Sequence, residues 1–244
     1  MRTLKLTSPP MSGEDVARIQ AGLGIEPRGI YDEVTAAAVE AWKWGVGYPE
    51  KDVDGSLGAK GQAWLLGKKP LPATYEERAA ERVRDAGIAS RIDRFIGKGS
   101  WRIRGDSRYA DRSPLEGFGP IFVRTGRKFG VDPLFLVAIA THENRLGTFK
   151  AIQAKHNTFG LGPGRSYPSW EANIEAAALN LARPGGFYVG KNTIRSIGLT
   201  WAPIGAGNDP GDLNQHWVGS VTRFYAQLGG RDDFDAVVKT RPVA

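Results

Sequence analysis

The chain has 244 residues, 41% hydrophobic and 24% charged, which is ample for a buried core, long for one domain and comfortable for two. It has no cysteine, which excludes a disulfide scaffold, a thiol nucleophile and thiolate metal sites. The net charge of +7 is uneven: residues 1–67 hold seven Lys or Arg against nine Asp or Glu, so the excess lies in 68–244 and favours a polyanionic partner.

The N-terminal stretch Met1 to Asp15 has no apolar run, so a chain made without a secretory signal is expected. Ser12 is placed to cap a first helix, in which Val16, Ile19, Gln20 and Leu23 follow the i, i+3, i+4, i+7 rule. Asp32 precedes a second helical run, Glu33 to Trp44, and Asp54-Gly55 marks a turn before a third, Leu57 to Leu66. A weak internal repeat at an offset of 26 aligns Gly29, Tyr31, Ala37 and Val39 with Gly55, Leu57, Ala63 and Leu65. Each half is a glycine turn, a large apolar residue and a helix, and two such halves pack around one shared core. Residues 68–75, with two prolines and two lysines after a glycine, form an expected linker between a domain at 1–67 and a second at 76–244.

The second part reads as mostly helical. Residues 75–97 carry alternating acids and arginines, and 98–113 read as a Gly-, Ser- and Arg-rich loop. Pro114 suits the first turn of a helix whose inner stripe is Phe118, Ile121, Phe122, Thr125 and Phe129, closed by Gly130. Asp132 then caps a helix with Pro133 at its first position, running to about Leu146 and stopping at Gly147. A Gly- and Pro-rich loop covers 157–168, and helices are predicted at about 169–182, 191–199 and 212–228. The longest apolar run, Leu134 to Ala140, is far too short to span a bilayer, so no membrane insertion is expected.

Glu143 stands out on its helix. Ala140, Ile139 and Leu136, at i−3, i−4 and i−7, are all apolar, which puts Glu143 on a buried stripe. Burial disfavours the charged carboxylate and raises its pKa. A glutamic acid protonated near neutral pH is what a glycosidase uses to protonate a departing sugar oxygen. The alternative is a structural glutamate paired with Arg145 or a lysine from elsewhere. His142 and His156 invite a metal reading, but they are 14 residues apart with no HExxH and no third ligand, so no metal and no cofactor is expected. Asn208-Asp209-Pro210 and Asp212 could hold calcium, although a turn and a helix cap explain them better.

Two stretches carry family resemblances. Val16 to Leu23, then Gly29 to Thr35 with Ala38-Val39, then Asp54 to Gly58, resemble the peptidoglycan-binding module of wall hydrolases, with Arg28, Asp32 and Gly61 departing from its pattern. Residues 113–228 resemble the endo-β-N-acetylglucosaminidases of autolysins and phage endolysins, which have a lysozyme-like fold. The matching runs are Ser113 to Gly117, Phe129 to Pro133, Ala138 to Glu143, Asn157 to Gly160, Tyr167 to Trp170, Asn180 to Ala182, Trp201 to Pro203, Asn208 to Pro210 and Asn214 to Trp217.

The resemblance implies a mostly α protein: a small three-helix wall-binding domain followed by a lysozyme-like catalytic domain. It implies Glu143 as general acid with Tyr167 beside it, and Asn157, Phe159, Tyr188 and Trp201 as substrate-binding residues. Many such enzymes carry a second carboxylate between the catalytic glutamate and the tyrosine. Residues 144–166 contain none, which leaves Asp106, Asp111 and Glu171 as candidates, or no second acid at all. The implied activity is cleavage of the β-1,4 glycan strand of bacterial peptidoglycan by a monomer, held in the host cytoplasm until a separate membrane pore releases it. A lytic transglycosylase or muramidase acting on the same strand is the alternative, and a wall-binding protein without turnover the non-enzymatic one. Nucleic acid is not an expected partner, since only the pI near 9.7 favours it.

Overall fold

The structure is a computed structural model that describes residues 1–162, 164–207, 209, 211–231 and 236–239. The described residues form ten α-helices and two short 3₁₀ turns, with no strand and only isolated β-bridges. No described helix is long and apolar enough to cross a membrane. The chain divides into two compact units, Met1–Arg84 and Asp85–Ala244.

In the first unit, α1 (Glu14–Gly22), α2 (Glu33–Gly45) and α3 (Ala59–Leu65) enclose Leu4, Val16, Ile19, Tyr31, Val39 and Leu57. Tyr31 and Leu57, matched in the internal repeat, are both fully buried, and the Tyr31 hydroxyl donates to the Gly55 carbonyl at 2.7 Å. Gln20 is the polar rivet of the first half. Its carbonyl accepts from Gly29 N at 2.8 Å, and its amide donates to Ile30 O and Thr35 Oγ1 at 2.9 Å each. Asp32 caps α2 as expected, accepting from Thr35 N at 2.9 Å.

Two expectations fail locally. Gly13, not Ser12, occupies the cap of α1, because Ser12 bridges Ile30 and its carbonyl accepts from Arg2 Nη2 at 2.6 Å. The third helix starts at Ala59 rather than Leu57, because Leu57 is extended and exchanges backbone bonds with Leu4 at 2.7 and 3.1 Å.

α4 (Ala73–Lys98) takes in the end of the expected linker. Tyr75 joins Tyr48 and Trp64 in an aromatic cluster with ring centres 4.9 to 5.8 Å apart. Arg78 donates to Gly47 O at 2.7 Å, and Arg82 donates to Trp44 O and Tyr48 O, which ties α4 to the last turn of α2 and the loop that follows it. Gly47, at φ 86, lies so near the Tyr75 carbonyl that a Cβ there would sit 1.8 Å from its oxygen. These contacts all lie within the first unit, whose boundary at Arg84 falls inside α4.

In the second unit the rest of α4 contributes Ala89, Ile92, Phe95 and Ile96 to a core shared with α5 (Gly119–Phe129), α6 (Pro133–Asn144), α8 (Trp170–Ala182), α9 (Ile194–Trp201) and α10 (Trp217–Gln227). α6 is the central element: Leu134 through Thr141 are all buried, and α10 and α5 pack along it. A helix apolar all round can only be an interior one. Asp132 caps it through Leu134 N at 2.8 Å and accepts from the Tyr225 hydroxyl at 2.9 Å, which ties its start to α10.

Pro114 does not open a helix. Ser113 Oγ donates to Leu146 O at 2.6 Å and accepts from Leu115 N at 3.0 Å, holding a turn there, and α5 begins at Gly119 with Pro120 in its first turn. α6 stops three residues short of Gly147. Arg145, Leu146 and Gly147 are all left-handed, at φ 49, 54 and 77, and the turn sends Leu146 into the core with no exposure. A short helix not anticipated from the sequence, α7 (Lys150–Gln153), follows the bridge between Tyr109 and Phe149.

Candidate active site

The early stop of α6 leaves Glu143 in its last turn, at the floor of a cleft of about 380 Å³. That lies within the roughly 300–1,000 Å³ usual for ligand pockets. His142, Gly160, Trp201, Asn214, His216 and Trp217 are among the lining residues.

The carboxyl of Glu143 is held asymmetrically. Trp201 Nε1 and Trp217 Nε1 both donate to Oε1, each at 2.8 Å. Oε2 accepts from neither; it faces Gly160, where a Cβ would lie 3.5 Å from it. Gly160, at φ 62, has a conformation that favours glycine, so no side chain stands there against that oxygen. No Lys or Arg forms an ion pair with Glu143 among the described residues, so the alternative of a structural pair with Arg145 does not hold. Burial pushes the Glu143 pKa up, and the two indole N–H donors, which favour the charged form, offset this only in part.

His142 stands next to the acid with its ring 6.1 Å from that of Trp217. Burial, and then the charges of Arg145 and Arg223, bring its pKa from 6.5 down to about 4. Its folded pKa is depressed, so the stability it contributes is present above pH 6.5 and is lost as pH falls through about 4. His142→Gln should therefore reduce the fall in unfolding free energy between pH 7 and pH 4, by at most about 3 kcal/mol. Denaturant unfolding of both proteins at the two pH values measures it, and an undiminished fall in the variant would contradict the assignment.

The other expected site residues fall into two groups. Trp201 lines the cleft and bonds the acid. Tyr188 packs its ring 6.1 Å from Trp201, and burial and then the Glu143 charge push its phenol up to about 12. The loop residues are placed differently. Asn157 is buried, and its amide is committed to the loop: Nδ2 donates to Leu161 O and Arg165 O at 3.2 Å, and Oδ1 accepts from Leu161 N at 3.0 Å and Asn173 Nδ2 at 3.3 Å. It shapes the wall that carries Gly160 and leaves no amide hydrogen free for a sugar. Phe159, 1% exposed, is a core residue and not a contact surface. Tyr167 is not among the cleft-lining residues. His156 Nδ1 lies 3.0 Å from the Tyr167 carbonyl oxygen, and the Tyr167 hydroxyl is enclosed with no hydrogen-bond partner among the described residues.

None of the three candidates for a second acid lines the cleft. Asp106 is bound by Arg108 at 2.6 Å, which lowers its pKa to about 2, Glu171 pairs with Arg124, and Asp111 is exposed in a loop. Glu143 is the one carboxylate among the described lining residues. Asp209 accepts from Leu213 N and Asn214 N at 2.9 Å each, so it shapes the turn before α10; Asn208 and Pro210 lie outside the described residues. No group of three or more His, Asp or Glu among the described residues is arranged to hold a metal.

Trp217 and its neighbours Asn214 and His216 line the cleft and are not among the site residues expected from the sequence. Their one sequence signal is the Asn214 to Trp217 run itself. Compared with known protein families the chain matches no family model, and no curated protein is significantly similar to it.

Proposed function

We propose that the chain is a bacteriolytic glycoside hydrolase that cuts the β-1,4 glycan strand of peptidoglycan after N-acetylglucosamine, with Glu143 as general acid. The observation that carries this reading is the asymmetric carboxyl. Two indoles hold Oε1, burial favours the neutral form, and Oε2 is left at the open cleft as the oxygen from which a proton can leave. The first unit is read as the wall-binding module, on its three helices, its repeat and its resemblance.

A single carboxylate among the described lining residues bears on the mechanism. A protein base would need to lie about 6.5–9.5 Å from the acid, and a protein nucleophile about 5–5.5 Å. With neither among the lining carboxylates, the substrate supplies the nucleophile. Its acetamido oxygen bonds the anomeric carbon as the glycosidic C–O bond breaks, and the leaving oxygen takes the proton of Glu143. Water then opens the cyclic intermediate and returns a proton to the Glu143 carboxylate. The same lone acid favours a second reading, attack by a muramyl hydroxyl as in lytic transglycosylases. Purified protein embedded with wall material in a gel should clear it and release new glycan ends; wall binding with no clearing would leave only a binding protein.

A further inference from the structure

We infer that Asn214 reads the acetamido group of the glycan: its side-chain carbonyl accepts the acetamido N–H. This rests on the glycan reading above and names the residue that would tell an N-acetylated strand from a plain glucan.

Asn214 lines the same cleft as Glu143, on the 3₁₀ turn Leu213–His216 that leads into α10. It is held at both backbone and side chain. Its backbone N donates to Asp209 Oδ2 and its Nδ2 donates to Pro203 O, each at 2.9 Å. Only the nitrogen of a side-chain amide can donate to a carbonyl, so the bond to Pro203 fixes which way the amide is turned. Oδ1 is the end left over. It has no hydrogen-bond partner among the described residues, and it is not enclosed. Asn157 is the contrast, since its Oδ1 already accepts from Leu161 N and Asn173 Nδ2.

The Pro203 bond has a structural role of its own. Pro203 follows Trp201 and Ala202, and Asn214 precedes Trp217, so the bond clips together the two segments that bring the indoles to Glu143. That role uses the donor end of the amide alone, and the acceptor end adds nothing to it. The other polar side chains among the described lining residues do not make the same selection. The indole N–H groups of Trp201 and Trp217 are spent on Glu143. His142 and His216 can each offer a donor or an acceptor, according to tautomer. Asn214 Oδ1 accepts and cannot donate, so it selects a donor. On the acetamido-assisted route a bond to the N–H does two things. It orients the group, and it polarises the amide toward the oxygen that attacks the anomeric carbon.

The test uses full-length protein and two soluble probes: chitin oligomers, and the same oligomers with each acetamido group replaced by acetoxy, which keeps the carbonyl and lacks the N–H. Binding is measured by calorimetry in Glu143→Gln protein, so neither probe is turned over. The Kd preference for acetamido over acetoxy should shrink by roughly three- to tenfold when Asn214→Ala or Asn214→Leu is added, the loss expected of one hydrogen bond. Leucine keeps the bulk that alanine removes, so whichever variant folds decides. A merely structural clip, or a bond to a sugar hydroxyl, would weaken both probes alike. An unchanged preference in the variants therefore overturns the assignment, as does failure of the acetamido oligomer to bind the Glu143→Gln protein. Cleavage of glycan by wild type with that preference unchanged would keep the glycosidase reading and lose the role of Asn214. No cleavage by wild type, with acetamido selection still dependent on Asn214, would sink the glycosidase reading and keep the site.

Discussion

Glu143→Gln should lower glycan cleavage by roughly 100- to 10,000-fold, the range that general acid catalysis contributes. The substitution is conservative in every other respect. The glutamine carbonyl can accept the same two indole N–H donors that Oε1 accepts, at the same 2.8 Å, and the amide nitrogen takes the place of Oε2. What is lost is the transferable proton. Stability should move the other way with pH. The Glu143 pKa is raised by folding, so the native state loses stability as pH rises through it, and the neutral glutamine does not. A variant that melts no lower than wild type at alkaline pH while its cleavage rate collapses separates chemistry from folding. Wild-type cleavage by the variant would contradict the acid role.

Trp217→Phe should shift the alkaline limb of the kcat–pH profile to higher pH and lower kcat by roughly ten- to a hundredfold. The indole N–H stabilises the carboxylate form of Glu143, so its removal raises the carboxyl pKa further and extends protonation to higher pH. The fall in kcat has a separate cause. With one of two donors gone, the carboxyl is less firmly held with Oε2 toward the cleft. Trp217 is 2% exposed, so KM should change less than kcat, whereas loss of the part-exposed Trp201 should affect both. An alkaline limb that stays put or moves to lower pH would remove Trp217 as a positioning residue.

The helices were largely legible because their causes are local. The apolar run Leu134 to Ala140, with Asp132 and Pro133 before it, specifies a buried capped helix, and a Glu one turn past that run has to meet the interior. The helix end was harder to read, since Arg145 and Leu146 adopt left-handed backbone only because the core takes up Leu146. Pairings across the chain were not legible at all. Trp201 and Trp217 lie 58 and 74 residues from Glu143, and nothing in their spacing says that both indoles reach one oxygen. Asn157 and Phe159 show the converse. A resemblance singles them out without saying whether they touch a ligand or build the loop, and their bonds and burial favour the loop and the core.

On the proposed function, this cleft breaks a glycosidic bond with one protein carboxyl. Mass spectrometry of borohydride-reduced peptidoglycan digests tests it most directly, with wild type and Glu143→Gln run side by side. Reduced N-acetylglucosamine ends are expected from wild type and none above background from the variant. Ends dominated by anhydromuramyl, lighter by one water and resistant to reduction, would keep Glu143 as the acid and replace the acetamido nucleophile with the muramyl hydroxyl. Intact glycan strands after treatment with wild-type protein would contradict the claim outright.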